Sequence, residues 1–397
     1  MLFQFMIITI LVFLLILSVL VLIHEAGHFF VAKKLGIKVE EFGFGLPPRA
    51  FGKKIGETIY SLNWLPIGGF VKLYGEDEAG GGKIRIKDKG LRIKEDTERA
   101  FFAKTAWQRA LVIVAGVAMN AVLAVFIFYI FLSISGFKTE IPLLSDYKFF
   151  GVNQRNIKEV LISQVVKGSP SEKAGIKPFS KIVAVNGSPV LDTKEFVNFV
   201  NNHKGKEIEL VWSDSKSEKS KKASIIPRMY PPKGEGALGV ALFSVASAQL
   251  SYDSAVQRIL SGIVHPVNLM LYNFNVIGNL IKISFQQKSA EPLSQGVSGP
   301  VGIASITGSI LKIPDTKEKI LGLLNLVGVL SISLAFFNVL PIPALDGGRL
   351  FFIGIEGIFR KKVSAKIEGY THAIGMAVLL GLILLITFKD LTKLFIK

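Results

Sequence analysis

The chain has 397 residues, half of them hydrophobic, with a formal net charge of +17 and no cysteine. That apolar content exceeds what a soluble core absorbs, so the excess is expected to face lipid. Without cysteine there is neither a disulfide framework nor a thiolate metal site, and a zinc site must be built from His, Asp or Glu. The basic residues are spread between apolar segments rather than gathered in one block, which argues against nucleic acid and for membrane lipid as the charged partner.

Leu2 to Ile23 is apolar apart from Gln4, Thr9 and Ser18, long enough to span hydrocarbon. It has no basic residues before it and no small-residue cleavage site after it, so it reads as a span rather than a removed signal peptide. His24-Glu25-Ala26-Gly27-His28 closes this span. Its histidines lie one helical turn apart on one face and can share a metal, while Glu25 projects about 100° away and can reach a metal-bound water as general base. Ionisable groups at membrane depth cost about 2.5–3.5 kcal/mol each and are kept mostly where they bind something.

From Phe42 to Gly75, β-branched and apolar residues bounded by Gly and Pro predict a hairpin, whose edge could hold an unwound substrate as an added strand. The charged segment Glu76 to Arg99 reads as a solvated loop. A second span is expected over about Ala106 to Ile134, interrupted by Asn120. Gly151 to Arg228 turns polar, with strands expected at Val160–Val166, Ile182–Val185 and Glu207–Trp212, a helix at Thr193–His203 and an exposed tip at Ser213–Lys222.

Ile259 to Ile281 carries no charge, but Pro266 and the polar series Ser261, His265, Asn268, Asn273, Asn275 and Asn279 suit an interfacial or domain-packed helix better than a crossing. Further spans are expected at about Ile320 to Leu345, with Asn338 inside it, and about Ala373 to Phe388. Asp346 follows two prolines that break the third helix and precedes two glycines, so its carboxylate can turn inward as a third metal ligand. His265 and His372 are rival ligands that read as structural. Lys33 and Lys34, Lys104 and Arg109, and Arg360, Lys361 and Lys362 place three loops in the cytoplasm, which brings His24, His28 and Asp346 to one depth; Lys389, Lys393 and Lys397 argue mildly against this. A peptide bond must leave its helix before it can be cut, and Asn120 and Asn338 could partner the freed backbone or simply glue helices.

Taken with Phe42-Gly43-Phe44-Gly45, Gly68-Gly69-Phe70-Val71-Lys72, Trp107-Gln108-Arg109, Gly116 to Asn120 and Ser298-Gly299-Pro300-Val301-Gly302-Ile303, these motifs resemble the site-two intramembrane metalloproteases, bacterial regulator of sigma-E protease branch. The resemblance covers most of the chain. It implies zinc held by His24, His28 and Asp346, catalytic Glu25, and substrate contacts from Asn120, Asn338, Gly68, Gly69, Phe70 and Val71. It implies single-span substrates such as anti-sigma factors or signal-peptide remnants, cleaved after a first cut, and a multi-pass protein of the bacterial inner membrane.

Lys167 to Ile176 and Val185-Asn186-Gly187 look like a PDZ domain, which in that family faces the periplasm and filters substrates by bulk. Two departures stand out: Val117 replaces a proline, and Phe179-Ser180 replaces the Gly-Asp of the PDZ turn. The outer region is short for two complete PDZ domains. The expected fold is an α-helical polytopic membrane protein of four transmembrane helices, with a cytoplasmic-side membrane-associated β-hairpin region (36–105) and an extracytoplasmic PDZ-like α+β domain (136–248). Residues 249–319 are expected as an interfacial helix and linker, and 349–372 as a loop. A catalytically silent relative could dispense with Glu25 or Asp346, and an ion transporter would carry acidic groups through several spans; neither pattern is seen.

Overall fold

The computed structural model describes residues 2–76, 97–214, 220–296, 298–361 and 363–395. Most of the expected charged loop, the tip of the 213–222 hairpin, Lys362 and Lys397 lie outside the described residues. The chain divides into two units, Met1–Gly136 with Arg258–Lys397, and Phe137–Gln257.

The first unit opens with α1 (Leu2–Lys34), apolar on all sides until its last turns, where Lys33 and Lys34 complement the helix C-terminus. Strands β1 (Val39–Ile55) and β2 (Thr58–Leu73) follow. They are long and fold back on each other, so residues 41–44 have neighbours on both sides: Gly43 faces Phe70 on one and Ser61 on the other. Phe51 and Trp64 stand exposed in the outer part of the hairpin. Helix α2 (Ala106–Ile134) starts with a reciprocal capping box between Thr105 and Gln108, which is why it begins where it does.

Helix α5 (Ala255–Gln287) runs unbroken through Pro266 and buries one face, including Ser261, Gly262, His265 and Asn268. Gly262 sits against the Val125 carbonyl of α2, and His265 lies among the rings of Phe128 and Phe131 at centroid distances of 5.0 and 6.2 Å. This half of the polar series is therefore buried against α2 instead of meeting water, while Asn273 and Asn275 are exposed. The expected linker holds two more helices, α6 (Glu291–Gly296) and α7 (Pro300–Leu311). Helix α8 (Thr316–Val339) is capped by Asp315, α9 (Asp346–Phe359) occupies much of the expected loop, and α10 (Ala365–Phe395) closes the chain.

The Ser298–Ile303 motif now has a physical reason. Helix α7 has no capping side chain of its own; Asp390 of α10 supplies a buried carboxylate that accepts from Gly299 N (2.8 Å) and Gly302 N (2.9 Å). A side chain at Gly302 would collide with that carboxylate. Among the described residues four helices are long and apolar enough to span a membrane: Gln4–Lys34, Ala106–Ile134, Thr316–Val339 and Lys366–Thr392. Helix makes up 54% of the structure, and substantial sheet lies in the hairpin and in the second unit.

The second unit is built on an antiparallel sheet, ordered β3 (Lys138–Leu143), β9 (Val240–Ser251), β4 (Asn153–Val165), β5 (Lys181–Val185), β7 (Ile208–Ser213) and β8 (Ser220–Ile225), with β6 (Ser188–Pro189) paired to β5. Its core gathers Val160, Ile162, Ile182, Leu210 and Trp212 with Phe196 and Val200. The last two lie one turn apart on α4 (Thr193–Asn202), whose N-cap Asp192 accepts from Lys194 N and Glu195 N. The Ser169-Pro170 signature is the cap and first residue of the short helix α3 (Pro170–Lys173).

Phe179 keeps the turn left by the missing glycine, in the left-handed region at φ 64° and with its N–H donated to the Ile162 carbonyl. That conformation costs a residue with a Cβ about 1–2 kcal/mol. Because Phe179 is exposed, little packing is lost on removing it. Phe179→Gly is expected to stabilise the second unit by about 0.5–1 kcal/mol, read as slower hydrogen exchange of the β5 and β7 amides; faster exchange would show that the side chain matters more than the backbone.

Candidate active site

His24 and His28 are buried on α1 with Nε2 atoms 3.1 Å apart. Asp346 Oδ2 stands 2.8 Å from the first and 3.3 Å from the second. Among the described residues these are the metal-type donors that gather within 4.8 Å of one another. Donors about 2.0–2.1 Å from a tetrahedral zinc stand roughly 3.3 Å apart, so the triangle is a slightly contracted zinc set.

Two further observations fit a metal. His28 Nδ1 lies 2.8 Å from the Val112 carbonyl, which only accepts, so Nδ1 keeps the proton and Nε2 presents its lone pair inward. Asn120 Nδ2 lies 3.4 Å from His24 Nδ1 while its buried Oδ1 has no partner. With the amide turned over, Oδ1 accepts from His24 Nδ1–H and leaves the second Nε2 equally free. Gly116 closes the cradle, since a Cβ there would overlap His28 Nε2 and crowd His24 Nε2. The residues therefore suit a zinc ion.

Each ligand arrives by a close approach. A Cβ at Gly27 would run into the Ala115 carbonyl, so α1 and α2 meet backbone to backbone beside the histidines. Ser331 of α8 donates to the Asn120 carbonyl at 2.8 Å, tying the third span to the second. Beyond α8 the two prolines turn the chain, and Ala344 adopts φ 80°. Its N–H donates to His372 Nδ1 of α10 at 2.9 Å, and Gly375 makes room for Pro343. Gly347 and Gly348 let α9 begin against the carbonyls of Leu340 and Ile342, with Asp346 in its first turn.

Glu25 does not join the triangle but shares a cavity with His28 and Asp346. Its Oε2 accepts from Val71 N at 3.1 Å. Ser18, two turns earlier, donates to the Pro66 carbonyl (3.1 Å) and accepts from Gly68 N (3.3 Å). The segment holding Gly68, Gly69, Phe70 and Val71 thus lies along α1. One edge of 69–73 pairs with 39–44, and the other turns toward Glu25.

Of the remaining candidates, Asn338 sits half-buried in the last turn of α8, outside the hydrogen bonds of the triangle. His265 packs among aromatic rings and His372 acts on the Ala344 backbone, so neither lies in the donor cluster. Arg109, counted above as a cytoplasmic charge, is buried and paired with Glu356 at 2.6 Å. Arg349, one turn past Asp346, pairs with Glu76 beside the same cavity. Sequence reading did not find these pairs; the only hint was a basic residue one turn after the candidate ligand.

The family model described as Peptidase family M50 matches residues 12–382. CPE1693 of Clostridium perfringens is 32% identical over 374 residues, covering 94% of this chain and 96% of its own. Zinc metalloprotease RasP of Geobacillus kaustophilus is 28% identical, covering 97% and 98%. The regulator of sigma-W protease RasP of Bacillus subtilis is 28% identical, covering 98% and 99%. Among solved structures, the PDZ domain of an SdrC-like protein from Listeria monocytogenes matches at a TM-score of 0.19 and 17% identity, over 25% of this chain and 93% of that one.

Gly116→Ala places a methyl group against both imidazole Nε2 atoms. It is expected to weaken zinc binding by roughly tenfold or more while helix content by circular dichroism stays unchanged. Wild-type zinc affinity in that variant, measured by chelator competition, would show that the cradle is not the metal site.

Proposed function

Because the chain belongs to peptidase family M50, we propose that it is a zinc-dependent endopeptidase that cuts membrane proteins within or beside their transmembrane segments. The observation that carries this reading is the placement of His24, His28 and Asp346 around one point, with Glu25 beside them: the histidines and Glu25 lie on α1, which bears an apolar span, and Asp346 opens the helix that follows the span of α8. Zinc, when bound, acidifies water and polarises a scissile carbonyl.

The chain's own residues supply the rest. His24 and His28 offer Nε2 lone pairs because Asn120 and the Val112 carbonyl hold the opposite nitrogens. Glu25 takes a proton from the attacking water and returns it to the leaving nitrogen. The substrate must first be unwound, and its freed backbone groups need partners in hydrocarbon. The edge of residues 69–73 offers them by strand addition, and Val71 N–H, now on Glu25, lies at its centre. Asn120 acts mainly on His24, and Asn338 is left to handle substrate backbone at the end of α8.

The substrates are single-span membrane proteins, with anti-sigma factors the leading class, in keeping with the sigma-W regulator named among the relatives; signal-peptide remnants share the same chemistry. We place the protein in a bacterial inner membrane, with the ends of α1 and α8 that carry the site toward the cytoplasm. Ser289, Asp315 and the second unit then lie on the outer side, and α5 does not cross. The second unit, read as a PDZ-like filter from its Ser169-Pro170 and Asn186-Gly187 signatures, restricts bulky substrates.

Two experiments test this. Glu25→Gln is expected to keep stoichiometric zinc and to lower cleavage of a membrane-anchored substrate by about 10²–10⁴-fold; near-normal turnover would remove Glu25 from the mechanism. Single cysteines at Ser289 and Asp315 are expected to label from outside with an impermeant thiol reagent, and one at Arg360 only from the cytoplasm. Labelling of Asp315 from the cytoplasm would separate Asp346 from the histidines by about 30 Å of hydrocarbon and sink the shared site.

A further inference from the structure

Asp346 opens α9 after a broken turn, so the direction of α8 does not carry its position forward; the rotation and tilt of α9 do. At about 100° per residue, Asp346, Arg349, Ile353 and Glu356 fall within about 80° of one another on that helix. The metal-type carboxylate therefore shares a face with two charged residues and one apolar one. Ile353 is buried with Val112 and Ile113 of α2. Phe351 and Ile358, on the far side, are exposed, and packing there does not set the rotation of the helix.

Both charged residues on this face are held. Arg349 pairs with Glu76, three residues beyond β2. Glu356 receives Arg109 of α2 at 2.6 Å, and the Arg109 Nε donates to the Lys104 carbonyl at 3.2 Å, so this guanidinium is buried and fixed from both sides. The far clasp lies about 15 Å along α9 from Asp346, ten residues at about 1.5 Å each. Burying an ion pair costs solvation that apolar side chains of similar volume would not lose, so its best-attested contribution is register rather than stability. The register matters here: a tilt of about 4° about the far clasp moves Asp346 by about 1 Å, and a misplacement of that size costs roughly a hundredfold in rate.

We propose that Arg109 and Glu356 are positioning residues for Asp346: their pair fixes the rotation of α9 and with it the third corner of the donor triangle. Neither residue lines the cavity shared by Glu25, His28 and Asp346. Arg349 and Glu76 do line it, so a change there would mix positioning with direct contact, and the far pair is the one to test. The inference rests on the zinc endopeptidase reading above and adds two residues that touch neither metal nor substrate.

The test uses the full-length protein loaded with zinc or with cobalt(II). Arg109→Met with Glu356→Met replaces the pair by apolar side chains, and helix content and thermal unfolding are expected to stay near wild type. Zinc affinity by chelator competition is expected to fall by roughly tenfold or more, and the visible bands of bound cobalt(II) to shift. For a membrane-anchored substrate kcat is expected to drop about a hundredfold with KM unchanged. Arg109→Lys keeps the charge but loses the planar fork, and is expected to fold and to fall between the two. A double-mutant cycle with Asp346→Ala separates positioning from packing: without the carboxylate, the methionine pair is expected to change the residual zinc affinity by less than about twofold.

Wild-type zinc affinity and cobalt(II) bands in the folded methionine pair and in Arg109→Lys would overturn the positioning role and leave the endopeptidase standing. A loss of affinity that persists undiminished in the Asp346→Ala background would do the same. Should the methionine pair fail to fold, Arg109→Lys and its own cycle with Asp346→Ala decide the matter. Zinc affinity unchanged by Asp346→Ala alone would overturn the metal assignment, and the positioning role with it.

Discussion

Everything at the site depends on α1 and α2 meeting without side chains between them. Gly27 against the Ala115 carbonyl, and Gly116 against both histidine rings, bring two apolar helices to backbone contact beside buried imidazoles. That approach lets the Val112 carbonyl and Asn120 serve as partners for imidazole nitrogens that would otherwise be buried alone. One larger residue at either glycine pushes the helices apart and removes the lone-pair alignment together with the shelter. The close contact is thus both the packing of the unit and the chemistry of the cradle.

The carboxylate is delivered by the opposite strategy. Asp346 comes from a broken helix, where two prolines end α8 and Ala344 takes a left-handed backbone that a residue with a Cβ adopts at a cost. Such a conformation persists only where its surroundings over-determine it. Here His372 accepts the Ala344 N–H, Gly375 admits Pro343, and Gly347 admits the Leu340 carbonyl. His372 is therefore a positioning residue for the turn before the ligand, a role that its isolation in the sequence did not suggest.

What could be read from the sequence follows from range. The histidine pair was legible because helical spacing is local, and the second span was legible to its end residues because Thr105 and Gln108 mark its start. Asp346 was legible as a carboxylate at a helix break, given matching depth. Gly116 was visible as part of a motif, but its reason appears only when His28 lies against it. Arg109 with Glu356 and Arg349 with Glu76 join residues hundreds of positions apart, and neither carries a local pattern. The burial of His265 and Asn268 was missed for a related cause: their polarity described the side chains, while Gly262 decided which face of α5 met α2.

Helix α10 meets the rest of its unit near its two ends, through His372 and Gly375 near its start and Ile386 and Asp390 near its end. Between them Ile374, Val378, Leu380, Leu382, Leu384 and Leu385 are exposed, and only 6% of its most apolar window is buried. Its middle is therefore specified by little more than hydrophobicity and length. Mutational drift should be free to reshuffle one aliphatic residue for another there for as long as the spacing of 18 residues between the two anchors is kept. An insertion of a single residue between the same anchors would rotate one of them out of reach of its partner by about 100°. In this helix the register is constrained and the composition is nearly free.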